Sequence, residues 1–152
     1  MKNKLKTALS AIKSGAPIEE ASRDVDWKDF EGLVAEILES KNFEVTRNFR
    51  MRKPTMEIDV VGIHLGVAVL IDCKHWKRMT NSALEKIVLR QIDRVKHYVA
   101  STDEVVAAPV IVTLYQEEIK FVSKVPIVPI IQFSSFIDEF YGNLEEIRTI
   151  EK

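Results

Sequence analysis

Asp59 and the triplet Asp72-Cys73-Lys74 are the residues whose types and spacing can do chemistry in this chain. The triplet closes the apolar run Val67-Ala68-Val69-Leu70-Ile71, which reads as a buried β-strand. Residues two apart on a strand share a face, so Asp72 and Lys74 point one way and Cys73 the other. A carboxylate beside an ammonium at the end of a core strand can hold a divalent metal and activate water for phosphodiester hydrolysis. A salt bridge at a strand end is the plainer use of the same pair.

The elements that must position these residues are legible from periodicity. Residues 3–13 and Pro17–Arg23 read as two short helical pieces, and residues 1–25 as an accessory element ahead of a domain over 26–152. Asp26 is a good N-cap for a helix running to Ser40, with Trp27, Phe30, Val34 and Leu38 on its apolar stripe. Phe43–Phe49 alternates as a strand, and Arg50–Thr55 reads as a loop. Glu57–Ile63 and Val67–Lys74 form a hairpin around the Gly-containing turn His64–Gly66. Ser82–Ala100 is the longest helix, Pro109–Leu114 and Ile127–Ile131 are strands, and Ser134 or Ser135 caps a last helix. This order gives an α/β fold, a mixed sheet with helices packed on it.

Two helical positions are polar where the pattern wants apolar residues. On a helical projection that starts from Trp27, Phe30 falls at about 300°, Leu38 at about 20° and Glu31 at about 40°, at the edge of the apolar face. An inward carboxylate costs several kcal/mol unless it is paired or bound to a cation. On a projection that starts from Leu84, Ile87 falls at about 300°, Val95 at about 20° and Gln91 at about 340°, the centre of the stripe. A glutamine there needs interior hydrogen-bond partners. It is satisfied either by core backbone or at the strand ends that carry Asp59 and Asp72. Glu31, Asp59, Asp72, Lys74 and Gln91 are thus expected to converge at one sheet edge. Three carboxylates with water suit Mg²⁺ or Mn²⁺.

The totals are quiet, with 152 residues, 46% hydrophobic and net charge −1, but the charge is uneven. From Lys41 to Arg78, eight Lys/Arg against four Asp/Glu give +4; from Asp138 to Lys152, two bases against five acids give −3. Arg47, Arg50, Arg52 and Lys53 precede the Asp59 strand with no acid among them, and Lys77 and Arg78 follow Lys74. These six are candidate contacts to DNA phosphates, the sequence-independent part of nucleic-acid affinity. Trp76 is a candidate for stacking on a base or for core packing. One cysteine excludes an internal disulfide framework and fits a reducing compartment. No secretory or membrane-spanning run is seen, so a cytoplasmic chain is expected. His64, His75 and His97 lack ligand spacing, and His75 reads as an incidental surface residue. With no Walker loop and no G-x-S-x-G, no small-molecule organic cofactor is expected.

Trp27-Lys28-Asp29-Phe30-Glu31, Asn42-Phe43-Glu44-Val45, Glu57-Ile58-Asp59-Val60, Asp72-Cys73-Lys74 and Gln91 with Tyr98 together resemble the PD-(D/E)XK nuclease superfamily. The likeness is to its Mrr-type restriction endonuclease and archaeal Holliday-junction resolvase branches. It covers roughly residues 26–141, with Asn42 where Gly is usual and Glu57-Ile58 in place of Pro. The resemblance implies a three-layer α/β/α fold with a mixed central sheet and a Mg²⁺-dependent endonuclease acting on DNA. It makes Asp59 and Asp72 metal ligands, Lys74 the catalytic lysine and Glu31 an auxiliary acid, with Gln91 in the same site. It also implies a homodimer, since two strands need two active sites. The alternatives are a nucleic-acid-binding module with little catalysis, and a non-enzymatic assembly protein that uses residues 1–22 and the acidic tail.

Overall fold

A helix that leans on a glycine sets the frame of this computed structural model, which describes residues 10, 27–75, 79–114 and 118–152. The expected accessory element lies outside the described residues apart from helical Ser10, as do Asp26, Trp76, Lys77 and Arg78. Helix α1, Trp27–Ser40, buries Phe30, Val34 and Leu38 completely. It ends in a Schellman-type turn: Phe43 N–H donates to Leu38 O at 3.1 Å and Asn42 N–H to Glu39 O at 3.1 Å. Asn42 occupies the left-handed position there with φ 70°. Asparagine tolerates that region better than most residues, which is how it replaces the glycine expected at this point.

The sheet follows in the order β1-β2-β3-β4-β6-β5. Strands β1 (Glu44–Arg52), β2 (Thr55–His64) and β3 (Val67–Lys74) form an antiparallel meander. Helix α2 (Asn81–Ser101) then crosses over to β4 (Val106–Thr113), parallel to β3. Strand β5 (Lys120–Val122) turns into β6 (Val125–Pro129), which joins β4 in parallel. Helix α3 (Ile130–Asp138), a 3₁₀ turn (Tyr141–Glu146) and the two-residue β7 (Ile150–Glu151) complete the chain, β7 pairing antiparallel with β4. Helices α1 and α3 cover one face of the sheet and α2 the other. The result is the expected α/β/α sandwich with a mixed sheet.

Gly62 on β2 lets α1 come close. A Cβ there would meet Leu38 Cδ1 at 3.0 Å, Phe43 Cδ2 at 3.2 Å and Val69 Cγ1 at 3.3 Å. On the far face α2 starts at Thr80, whose hydroxyl accepts the Ala83 N–H at 3.1 Å. Its stripe of Leu84, Ile87, Val88, Gln91, Ile92 and Val95 is buried.

Three expectations need correction. The segment from Arg50 is not a loop: β1 continues to Arg52, paired with Thr55, so the basic residues ride on a tight hairpin. The last helix starts at Ile130, with Pro129 at its N-cap position, and not at Ser134 or Ser135. Proline has the φ that a helix entry needs and cannot donate to a strand ladder, so it ends β6 and opens α3. The strand expected at Ile127–Ile131 is β6, which runs Val125–Pro129 and gives Ile130 and Ile131 to α3, while β5 and β7 are strands that the sequence pattern does not announce. The β5–β6 hairpin turns through Ser123 (φ 51°) and Lys124 (φ 64°), neither of which is a usual residue for that conformation.

Candidate active site

The β2–β3 hairpin places the two aspartates. Its turn is two residues, Leu65 (φ 51°) and Gly66 (φ 78°), with His64 paired to Val67. Positive φ at both positions is the signature of the tight turn that matches strand twist. From there the register runs through Val61↔Leu70 and Val60↔Ile71. The ladder ends there, and the next residues on the two strands are Asp59 and Asp72, whose carboxyls interact at the carboxyl end of β3. The β1–β2 ladder skips the pair Asn48–Asp59, and Asn48 has φ 53°. Ile58 and Val61, three apart, pack in the same core cluster, so the alternation of β2 breaks around Asp59. The kink frees its carboxylate from a regular ladder position.

Asp59 Oδ2 turns toward β3 and accepts the Cys73 N–H at 2.8 Å. Its carboxyl is pushed up to about 7, first by burial. The Cys73 N–H pulls the other way. The charge of Asp72, a side-chain hydrogen bond with it, and the charge of Glu31 add to the rise. Two carboxyls in such contact resist ionising together, which is a common feature of functional sites. Cys73 faces the α1 side of the core, and burial raises its thiol pKa well above the usual range, so it is no nucleophile.

Asp72 is 6% exposed, and its Oδ2 lacks a hydrogen bond of normal length. Two cations lie just beyond that range: Lys74 Nζ at 3.4 Å and Arg94 NH1 at 3.6 Å. Arg94 is held in turn by Gln91. The fully buried amide donates from Nε2 to Leu70 O at 2.8 Å, and its Oε1 accepts from Arg94 NH1 at 3.0 Å. Core backbone satisfies one end of Gln91, and the other end holds Arg94, a cation 3.6 Å from Asp72. Gln91 itself touches neither aspartate by a hydrogen bond. Sequence reasoning misses Arg94. At about 280° on the helical projection it flanks Gln91, and that angle is the available signal.

Glu31 is buried, 6% exposed, on α1. Its charge reaches Asp59 and Cys73, so it approaches the aspartates from the α1 side of the sheet edge. The cleft itself opens toward α2. It has a volume of about 440 Å³ and is lined by Asp59, Asp72 and Lys74, with Glu57, Arg90 and Arg94 among the other walls. His75 is not the surface residue expected. It is half-buried, its ring stacked on Phe30 with centroids 6.4 Å apart, and burial lowers its pKa.

The basic residues divide between two places. Arg47 donates from NH2 to Lys28 O of α1 at 3.2 Å, and its charge reaches Cys73. Arg50, Arg52 and Lys53 instead line a groove between the β1–β2 hairpin and the end of α2. Arg50 also lies 3.5 Å from Glu57.

Among the described residues, no three Asp, Glu, His or Cys side chains form a ready-made metal cage. The donors present are two facing carboxyls, one with a buried oxygen short of hydrogen bonds, beside an open cleft. That set fits a hard ion that keeps several of its waters, as Mg²⁺ does, and does not fit a closed zinc site. Among the described residues, no helix is long and apolar enough to cross a membrane.

Known proteins bear on this geometry. Residues 22–114, more than half of the chain, match the family Mrr_cat, described as restriction endonuclease. An uncharacterised protein of Archaeoglobus fulgidus is 29% identical over 124 residues, covering 79% of this chain and 95% of the relative. Among solved structures, the small subunit of the heterodimeric restriction endonuclease R.BspD6I aligns over 94% of this chain and 82% of its own. Its TM-score is 0.52 and its identity 15%, a likeness of fold. A crystallised protein of unknown function, AF1548, is 28% identical at a TM-score of 0.44 over 58% of this chain. The match spans 48% of AF1548, so the chain corresponds to about half of that protein. The chain belongs to the Mrr_cat restriction endonuclease family, within the PD-(D/E)XK superfamily that its aspartates and lysine resembled.

Proposed function

We propose that this protein is a metal-dependent DNA endonuclease that hydrolyses phosphodiester bonds at Asp59, Asp72 and Lys74. One observation carries the reading: the Asp59 carboxyl meets that of Asp72 at the strand end, and Lys74 Nζ lies 3.4 Å from Asp72 beside an open cleft that all three line. Asp59 and Asp72 would hold Mg²⁺ or Mn²⁺, with Glu31 as an auxiliary acid behind them. When bound, the ion would polarise the scissile phosphate and lower the pKa of the attacking water. Lys74 Nζ would orient that water or offset charge on the pentacovalent transition state. Arg94, fixed by Gln91 and 3.6 Å from Asp72, would add a second positive group facing the phosphate. Arg47, Arg50, Arg52 and Lys53, with Lys77 and Arg78 beyond the described residues, would contribute salt-dependent contacts to the DNA backbone. A homodimer would supply one such site to each strand.

A second reading, a DNA-binding module with little catalysis, draws on the same Asp72. Two cations already lie near its carboxylate, and no third acidic ligand completes a cage among the described residues. Titrating Mg²⁺ and Mn²⁺ against branched, nicked and linear DNA separates the two. The endonuclease reading predicts products that appear with metal and vanish with chelator. Retardation of all three DNAs with no product under any metal would establish the binding module instead.

A further inference from the structure

The helix face that walls the catalytic cleft continues past it. Arg90, Asp93 and Arg94 line the cleft, and one to two turns on His97, Ala100 and Ser101 line a second groove of about 490 Å³. The opposite wall is the β1–β2 hairpin in both cases: Met56 and Glu57 beside the cleft, Phe49 to Lys53 beside the groove. From Arg94 to Ser101 is seven residues, about 10 Å along α2. That distance is two to three stacked nucleotides of one strand at about 3.4 Å each.

The groove has two chemical halves. Arg50, Arg52, Lys53 and His97 supply positive or protonatable groups, and among the described residues no acid lines it. Two acids approach these groups from outside the groove, Glu57 beside Arg50 and Asp93 beside His97. Phe49 supplies an aromatic surface, half-buried and held edge-to-face on Tyr98 with centroids 5.3 Å apart. A volume of this size lies within the roughly 300–1,000 Å³ of small-molecule sites. Cations around an aromatic ring recognise a phosphate and a base together, and a base is available for stacking only when it has left the duplex.

We infer that this groove is a subsite for an unpaired nucleotide two to three positions from the cut, so the preferred DNA carries a single-stranded arm beside the scissile bond. The inference rests on the nuclease reading and narrows its substrate. The test uses the full chain with Ca²⁺, which supports binding without turnover in many metal nucleases, and compares a blunt duplex with the same duplex bearing a single-stranded arm. A photoreactive 5-iodouracil is placed two or three nucleotides from the junction.

The armed DNA should bind about tenfold more tightly, the scale of one base stack. The crosslink should fall on residues 49–53 or 97–102. Phe49→Leu, which keeps an apolar contact to Tyr98, should erase most of the preference, and so should the exposed double change Arg52→Ala with Lys53→Ala. Equal binding of both DNAs, or crosslinks confined to other segments, overturns the subsite while leaving a DNA-binding protein. Failure to bind either DNA at low salt overturns the nuclease reading and the subsite with it.

Discussion

Replacing Asp59 by asparagine should make the metal-free protein more stable, and more so as pH rises. The Asp59 carboxyl is raised from 3.8 to about 7, chiefly by burial and by Asp72 beside it. Between those values the folded state holds a proton that the unfolded chain has released. Stability therefore falls as pH rises through that window, and the full cost is present above pH 7. A shift of this size has a ceiling of roughly 4 kcal/mol, of which roughly 2–3 kcal/mol falls between pH 5 and pH 8. Asparagine has nearly the same shape, retains an oxygen to accept the Cys73 N–H and carries no charge. Titrating groups remote from Asp59 are common to both proteins and cancel in the difference, so what is read is the joint titration of Asp59 with the carboxyls it touches. Urea unfolding followed by tryptophan fluorescence in chelator, at pH 5, 6, 7 and 8, reads that difference directly. The advantage of Asp59→Asn over the wild type should grow by roughly 2–3 kcal/mol across the series. A difference that stays flat with pH would refute the claim that burial beside Asp72 holds Asp59 protonated.

Other consequences are open to measurement. Mn²⁺ binding to the wild type should release a proton below pH 7 and tighten by about tenfold per pH unit there, which calorimetry in buffers of different ionisation enthalpy resolves; proton release near zero at pH 6 would contradict it. Gln91→Leu leaves Leu70 O without its side-chain donor and Arg94 without its anchor. It should cost about 1–3 kcal/mol of stability and lower kcat more than it weakens DNA binding; a change in binding alone would remove its positioning role. Gly62→Ala drives a methyl into Leu38, Phe43 and Val69 at 3.0–3.3 Å. Its expected cost is about 1–3 kcal/mol by denaturant midpoint, and an unchanged midpoint would show that α1 is free to shift.

Much of the site follows from spacing alone. A two-residue turn at Leu65-Gly66 with twelve residues between Asp59 and Asp72 brings the aspartates to the same end of the hairpin, one step past the Val60–Ile71 pair, because antiparallel register is set by turn length. Glu31 and Gln91 stand out as polar residues on apolar helix faces, and both are buried. What spacing does not supply is reach. The tie from Arg94 to both Gln91 and Asp72 depends on how α2 lies over β3, a packing distance that no local pattern encodes. The basic hairpin reads as a loop because Arg50-Met51-Arg52-Lys53-Pro54 lacks the hydrophobic alternation of a half-buried strand. It sits at the sheet edge, where pairing with β2 on one side suffices. Strand β5 and the turn that joins it to β6 leave no clear signal because Ser123 and Lys124 adopt left-handed backbone without the Asn-Gly signature. The partnership of β7 with β4 is a two-residue, long-range pairing with no local trace.

The central claim is that Asp59, Asp72 and Lys74 form a metal-dependent phosphodiesterase site. Single-turnover cleavage of end-labelled DNA by the wild type, Asp72→Asn and Lys74→Ala, each with Mg²⁺ and with chelator, tests it most directly. The account predicts product only for the wild type with Mg²⁺, a loss of at least about a hundredfold in rate for both variants, and DNA binding retained by both. Cleavage that survives chelation, or variants that cut as fast as the wild type, would contradict it.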